Sequence, residues 1–226
     1  MTRICVLDYG MGNLRSVEKA FEHVGAAVEL SSDHDRAARA DGLVLPGVGA
    51  FATAMDRVRE AELDRLIAER LAAGVPVLGI CLGYQLLFEA STELGGAEGL
   101  GVLAGEVTLL RAPGLKVPHV GWEPVRWSGV SELTNGIADE TPLYFVHSFT
   151  PRPAEPADVI GTAEHGERFA CAIARPPVYG VQFHPEKSSA AGLRLLSNFI
   201  RICAETSRLD SGGASLRPPD SASQPA

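Results

Sequence analysis

The first half of the chain alternates short apolar runs, ended by Gly or Pro, with stretches whose apolar residues recur at helical spacing. This alternation is typical of an α/β domain with a mostly parallel sheet and helices on both faces, a three-layer arrangement. The predicted strands are Ile4–Asp8, Val28–Leu30, Leu43–Leu45 and Val75–Ile80. Three helices are predicted: the first begins at Asn13, the second spans Phe51 to Ala73, and the third spans Leu82 to Ala90.

The second half has a different pattern, with strand-like segments and few helices between them. These segments are Glu106–Leu110, Pro124–Trp127, Pro142–His147, Val159–Glu164, Ala170–Ala174 and Val178–Phe183. A turn at His165–Gly166 predicts an antiparallel hairpin, so this half should extend the same sheet with mixed or antiparallel pairing. An amphipathic helix over Ser188–Ala204 completes a domain of residues 1–206. From Ser207 the composition turns to Ser, Gly, Pro, Asp and Ala, which predicts a disordered tail over 207–226.

Composition and charge exclude several classes of function. The 226 residues carry a net charge of -8 without any Lys/Arg cluster, which argues against a nucleic-acid partner. The longest nearly apolar run, Leu71–Leu82, contains Gly74 and Pro76 and is too short to span a bilayer, so we expect a cytoplasmic protein without a membrane partner. The four cysteines lie far apart, so neither a disulfide framework nor a metal site is expected.

The strongest local signal is Gly79-Ile80-Cys81-Leu82-Gly83, which follows a buried strand and opens a helix. In such a turn the flanking glycines make room for a nucleophile held in a strained conformation. The helix N-terminus stabilises a thiolate, which is the reactive form of cysteine, and the backbone N–H of Leu82 would face a developing oxyanion. The alternative is a small cysteine buried at a tight turn, and it is the preferred interpretation for Cys5, Cys171 and Cys203.

A cysteine nucleophile needs a base, and the base needs a partner that selects its tautomer. His184 ends a predicted strand, and Glu186 lies two residues later, where the side chain of an extended segment points to the same side. The strand ends at the carboxyl edge of the sheet, where α/β proteins gather their sites and where Cys81 also lies. A surface histidine beside a solvated glutamate is the alternative, because sequence gives no distance to Cys81.

A glycine-rich segment, Pro46-Gly47-Val48-Gly49, follows the third predicted strand. Its glycines let the backbone approach a ligand closely and let a peptide reorient. It lacks the Gly-Lys-Ser/Thr of a phosphate-binding loop, and Arg15 stands where a dinucleotide fingerprint needs its third glycine, so no cofactor is expected. Ordinary turn glycines are the alternative interpretation.

Together these segments resemble the class I (triad) glutamine amidotransferases. The resemblance uses Pro46–Phe51, Gly79–Glu89 and Val181–Glu186 in the order of that family, and it extends from the first strand to the last helix. Two further segments, Asp8–Ser16 and Lys116–Trp122, resemble one branch, the glutaminase subunits of imidazole glycerol phosphate synthases in histidine biosynthesis.

The resemblance implies that L-glutamine is hydrolysed through a catalytic triad of Cys81, His184 and Glu186 and a glutamyl thioester. It implies an oxyanion hole made by the backbone N–H groups of Val48 and Leu82. It also implies a set of residues that contact glutamine, with Glu93 on the α-amino group. That set is Gly47, Gly49, Gln85, Glu93, His147 and Ser148.

The resemblance further implies a partner, a (β/α)8-barrel cyclase subunit that receives the ammonia in a heterodimer. The residues implied at that interface are Asn13, Arg15, His119, Trp122 and Lys187. Other interpretations stay open. The interface set could instead be a capping Asn, a core Trp and solvated basic residues. The whole chain could instead be another triad glutaminase, a stand-alone cysteine hydrolase or a non-catalytic module.

Overall fold

A computed structural model describes residues 1–213, with side chains to residue 209. In chain order its strands are β1 (Arg3–Leu7), β2 (Ala27–Ser31), β3 (Gly42–Leu45), β4 (Val77–Ile80), β5 (Phe88–Ser91), β6 (Ala97–Glu98), β7 (Leu103–Leu109), β8 (His119–Trp127), β9 (Thr141–His147), β10 (Phe149–Pro153), β11 (Val159–His165), β12 (Glu167–Arg175) and β13 (Val178–Val181). The helices are α1 (Leu14–His23), α2 (His34–Ala38), α3 (Phe51–Glu60), α4 (Leu63–Ala72), α5 (Leu82–Leu86) and α6 (Ser189–Gly213).

A nine-stranded sheet with the order β2-β1-β3-β4-β13-β12-β11-β8-β9 forms the centre of the molecule. Its strands are parallel from β2 to β13 and antiparallel from β13 to β9. The strands β3, β4 and β13 are buried along their whole length, as expected where helices cover both faces. The predicted α/β fold, with a parallel first half and an antiparallel extension, is confirmed.

One prediction about the sheet was wrong. The segment Glu106–Leu110 does not extend the central sheet, because β7 belongs to a separate four-stranded sheet with the order β10-β7-β5-β6. Strand β7 alternates between buried and exposed residues, which suits a small sheet with one face toward solvent. The strand pattern was therefore visible in the sequence, but the identity of its partners was not.

Two predicted helices also differ from the structure. The helix predicted from Phe51 to Ala73 is two helices, α3 and α4, because Glu62 adopts a left-handed conformation with φ of 53° between them. The helix predicted over Leu82–Ala90 stops at Leu86, where the backbone leaves for β5. All residues of α5 are buried, so this run had no amphipathic pattern that could mark its end. Leu100 N–H then donates to Leu86 O and draws the segment into the small sheet.

The core lies in two apolar layers, one on each face of the central sheet. One layer contains α1 and α6, whose Phe21 and Phe199 rings meet edge to face at 6.3 Å, and the other contains α3 and α4 with Val58 and Ile67. Helix α6 continues to Gly213, beyond the predicted end at Ala204, and the rest of the predicted tail lies outside the described residues. Within residues 1–213, the helices are too short or too polar to cross a membrane.

Candidate active site

The nucleophile position is a tight turn between β4 and α5. Cys81 has φ of 54° and ψ of -110°, a conformation that L-residues seldom adopt. The flanking glycines are sterically required: a Cβ on Gly79 would lie 2.7 Å from the Tyr84 Cα, and one on Gly83 would collide with the Leu45 carbonyl. The turn therefore holds the Cys81 thiol at the carboxyl edge of the sheet, as the glycine pattern predicted.

His184 follows β13, the strand that pairs in parallel with β4, so the two strand ends bring it to Cys81. Its Nδ1 lies 2.8 Å from Glu186 Oε1, and both side chains are buried. Burial alone would lower the pKa of His184, but its hydrogen bonds to Cys81 and Glu186, together with their negative charges, raise that pKa to about 10. The three groups therefore lie in the arrangement that a cysteine nucleophile, its base and an orienting carboxylate require.

Two buried polar residues that the sequence analysis did not single out hold this arrangement in place. Ser188 donates from Oγ to His184 O at 2.6 Å and accepts from Tyr144 N–H at 3.0 Å, which ties His184 to β9. Gln182 places its Nε2 3.8 Å from Cys81 Sγ and accepts from Gln85 Nε2 at 3.0 Å. Neither residue belongs to a recognisable sequence pattern. Only their positions could have drawn attention to them, since Gln182 lies within Val181–Glu186 and Ser188 lies two residues after that segment.

The glycine-rich segment after β3 lies beside the nucleophile. Leu82 N–H, the predicted oxyanion donor, donates instead to Gly47 O at 3.4 Å. In a trans peptide the carbonyl and the next N–H point in opposite directions, so the Val48 N–H faces away from this position. Tyr9 Oη donates to Pro46 O at 2.6 Å and anchors the start of the segment. Of the two predicted oxyanion donors, the Leu82 N–H is therefore already hydrogen-bonded and the Val48 N–H points away.

A cavity of about 270 Å³ opens at Cys81 and His184. Most of the predicted glutamine contacts and oxyanion residues line it, together with one predicted interface residue: Val48, Gly49, Leu82, Gln85, Glu93, His147, Ser148 and Lys187. Gly47 is not in its lining, and its carbonyl faces Leu82 instead. Glu93 Oε2 accepts from Phe51 N–H at 2.7 Å, at the N-terminus of α3, so its carboxylate is held at the cavity edge.

Comparison with known proteins decides the family. The sequence model of the family described as Glutamine amidotransferase class-I matches residues 5–203. The subunit HisH of imidazole glycerol phosphate synthase from Moorella thermoacetica is 50% identical over 199 residues, which cover 88% of this chain and 94% of that protein. The HisH subunit of Aquifex aeolicus is 48% identical over 200 residues, covering 88% and 96% of the two chains.

The chain belongs to the class I glutamine amidotransferases, among their HisH subunits. The family predicted from the motifs is thus confirmed, and the chain is a glutamine amidotransferase. Solved structures show the same fold at low identity. A GMP synthase subunit of Thermoplasma acidophilum matches with a TM-score of 0.72 at 21% identity, covering 93% of this chain and 98% of the other. PurLQS from Thermotoga maritima matches with 0.70 at 18% identity, covering 89% and 98%.

The remaining cysteines of this amidotransferase are buried and free. Burial raises the pKa of Cys5 to about 12, and it raises the pKa values of Cys171 and Cys203 further. A thiol that stays protonated is a poor nucleophile, which agrees with their assignment to the core.

The predicted interface residues differ in their exposure. Asn13 and Arg15 are exposed at the start of α1, Lys187 is exposed beside the cavity, and Trp122 is 49% exposed. His119 is only 1% exposed, so its side chain is not offered to a partner. The sequence could not reveal this burial, because the residues that cover His119 come from distant parts of the chain.

Proposed function

We propose that the chain hydrolyses L-glutamine to glutamate and ammonia through Cys81, His184 and Glu186. We propose that it passes the ammonia to a (β/α)8-barrel cyclase subunit. That partner would make imidazole glycerol phosphate and aminoimidazole carboxamide ribotide (AICAR) in histidine biosynthesis, in the cytoplasm. The observation that carries the proposal is the strained Cys81 turn beside His184, whose Nδ1 lies 2.8 Å from Glu186.

In the first step the Cys81 thiolate attacks the carboxamide carbon of glutamine, and the carbonyl oxygen becomes an oxyanion. The His184 imidazolium then donates its proton to the departing nitrogen, so that the C–N bond breaks and ammonia leaves. The neutral His184 next removes a proton from water, whose oxygen attacks the thioester. The thiolate departs, glutamate forms and His184 is again protonated. Glu186 holds the imidazole in the tautomer that both steps need.

Oxyanion stabilisation requires a change in the Pro46–Gly49 segment. Leu82 N–H is engaged by Gly47 O at 3.4 Å, a long hydrogen bond that costs little to break. Rotation of the Gly47–Val48 peptide would free the Leu82 N–H and turn the Val48 N–H inward, so both could donate to the oxyanion. Gly49, which has φ of 106°, can absorb such a rotation. We therefore expect the isolated chain to be nearly inactive until a partner favours the rotated form.

The substrate would lie in the cavity beside Cys81. Glu93 would bind the α-amino group through a carboxylate oxygen, and Gln85 and Ser148 would supply hydrogen bonds from the walls. His147 Nδ1 already contacts Phe149 O at 2.9 Å, which supports a role in shaping the wall rather than in moving protons. The backbone of Gly47 and Gly49 would lie against the carboxamide.

Exposed residues next to the cavity support the proposal of a partner subunit. The centroids of the Trp122 and Tyr144 rings lie 5.7 Å apart, and Lys187 Nζ lies 5.9 Å from the centroid of the Tyr144 ring. Val120, on the same side of β8 as Trp122, is 58% exposed. Aromatic side chains and a cation beside an active site are typical interface anchors. A partner seated here would also give ammonia a path that excludes water, in which it would otherwise become protonated.

The decisive experiment measures glutamate release from glutamine. The chain is assayed alone and then together with a histidine-branch cyclase and the nucleotide ligand of that cyclase. We expect strong stimulation by the partner, and its complete loss in Cys81→Ala. A Cys203→Ala variant, which removes a buried thiol beside Gly42 at the start of β3 and outside the cavity lining, should keep the stimulation. Vigorous turnover without the partner would instead favour a stand-alone hydrolase, and stimulation by the synthase of another pathway would favour another triad glutaminase.

A further inference from the structure

A second group of polar side chains meets away from Cys81, in the antiparallel half of the sheet. His119 and Glu123 lie on one face of β8, and His165 ends the neighbouring strand β11. One nitrogen or carboxylate oxygen from each of the three lies within 4.8 Å of the others. The His119 and His165 rings stack with centroids 4.1 Å apart. Two imidazoles and one carboxylate are the ligand set of many zinc sites.

The hydrogen bonds around His119 determine where its proton lies. His147 Nδ1 contacts Phe149 O at 2.9 Å, and a carbonyl only accepts, so the proton of this neutral imidazole is on Nδ1. His147 Nε2 is then an acceptor, and His119 Nδ1, 3.1 Å away, must donate to it. It follows that His119 Nε2 carries a lone pair.

This lone pair faces a carboxylate. Glu123 Oε1 lies 3.5 Å from His119 Nε2, and within the described part of the chain no donor reaches this buried nitrogen. Two acceptors placed opposite each other repel unless a cation lies between them. His165 completes the set in the same way, because its Nε2 contacts the Lys116 carbonyl at 2.9 Å and so carries the proton, which leaves Nδ1 as an acceptor. A ligating histidine commonly donates its other N–H to a backbone carbonyl.

Two of the three groups are open to solvent. Glu123 and His165 line a cavity of about 470 Å³ beside β8 and β11, while His119 is only 1% exposed. Arg126 and Arg168 also line it, but Arg126 is directed to Glu140 at 3.4 Å. Tetrahedral zinc, with bonds of about 2.0–2.1 Å, needs ligand atoms roughly 3.4 Å apart. The observed spread of up to 4.8 Å therefore requires a contraction of up to about 1.4 Å. Because Glu123 Oε1 already lies 3.5 Å from His119 Nε2, this contraction must come from the partly exposed His165 ring, which has to turn out of its stack with His119 to direct Nδ1 at the ion.

We propose that His119 Nε2, His165 Nδ1 and the Glu123 carboxylate bind one divalent metal ion of the zinc class, with the open coordination position facing the cavity. The ion would join β8 to the β11–β12 hairpin. Since His119 donates to His147, which lines the glutamine cavity, the ion would also hold that wall in place. The site has no part in bond cleavage, so its test is independent of the glutaminase reaction.

The test is zinc binding by the full chain without an affinity tag, in the Cys81→Ala background so that the catalytic thiolate cannot bind the ion. We expect saturable binding of one equivalent in calorimetry and a higher melting temperature with zinc. Adding Glu123→Gln or His165→Ala should weaken binding by at least about 10-fold. The matched controls Glu164→Gln, on the same cavity, and His23→Ala, an exposed histidine, should bind as tightly as the parent.

Two outcomes would overturn the proposal. One is the absence of binding at one equivalent, or binding that Glu123→Gln and His165→Ala leave unchanged. The other is a nitrogen NMR spectrum of the zinc-free chain at neutral pH in which His119 Nε2 is protonated, since an imidazolium paired with Glu123 leaves no lone pair for a metal. Cobalt in place of zinc provides a second readout, because its visible absorption reports a nitrogen- and oxygen-ligated ion.

Discussion

The molecule contains two histidine–carboxylate pairs whose buried histidines have opposite pKa shifts. In the parallel half, His184 Nδ1 lies 2.8 Å from Glu186, and the pKa of His184 is raised to about 10. In the antiparallel half, His119 Nε2 lies 3.5 Å from Glu123, and the pKa of His119 is lowered to about 3. The same two residue types thus favour a charged ring in one place and a neutral ring opposed to a carboxylate in the other.

The difference comes from what the other ring nitrogen contacts. His184 has negative groups on both sides, Cys81 and Glu186, which stabilise the imidazolium despite burial. Burial is the largest cause of the lowered pKa of His119. Within the described residues, its Nδ1 contacts His147 and no negative group that could offset burial, and the positive forms of His147 and His165 would repel a protonated His119. The pairing of a histidine with a carboxylate therefore does not by itself predict its charge, because the second neighbour of the ring decides it.

The largest effect is expected at the His184–Glu186 pair. Glu186→Gln removes the charge that orients and stabilises the His184 imidazolium, so we expect partner-stimulated glutaminase activity to fall between about 10²- and 10⁴-fold. Steady-state glutamate release measures the loss, with Glu164→Gln as the control for removal of an exposed carboxylate. Activity of the Glu186→Gln variant within a few-fold of the parent would show that the carboxylate does not support the base.

The second prediction concerns the pH at which the His184 ring loses its proton. In the parent chain its imidazolium should persist up to about pH 10, because the pKa is raised by the contacts with Cys81 and Glu186. Cys81→Ala removes the hydrogen bond and charge of the thiolate, so the pKa of His184 should fall and the ring should become neutral at a lower pH. An NMR titration of the ring nitrogens follows this directly, with exposed His23 as the internal reference. An unchanged pKa would mean that Glu186 alone holds the proton.

The smallest expected effect concerns the residue that joins the two regions. Ser188 links His184 O to Tyr144 N–H on β9, the strand that pairs with β8. Ser188→Ala leaves the Tyr144 N–H without its partner, while His184 O still accepts from the Lys187 N–H, so the free energy of unfolding should fall by about 1–3 kcal/mol. Denaturant unfolding measures it, and Ser32→Ala, at an exposed position, should stay within about 0.5 kcal/mol of the parent. Equal stability of the two variants would remove Ser188 from this role.

The sequence alone was informative wherever the controlling physics is local. The turn at Cys81 needs small neighbours within two residues, so the glycines at 79 and 83 are enough to predict it. Apolar runs bounded by Gly or Pro likewise predict the parallel strands, since a doubly covered strand must be apolar along its length. His184 and Glu186 share one short segment, but their contact is made through a 3-10 turn over Pro185–Lys187 and not through the extended backbone that the sequence predicted.

Only the tertiary structure decided the rest, because it depends on which distant strands become neighbours. The separate sheet around β7, the left-handed break at Glu62 and the Gly47 carbonyl facing Leu82 have no local pattern that distinguishes them. The meeting of His119 with His165 depends on the register of β8 and β11, which brings together residues far apart in the chain. The sequence, in which cysteines and histidines are scattered, predicted no metal site; the proposed one exists only through that pairing.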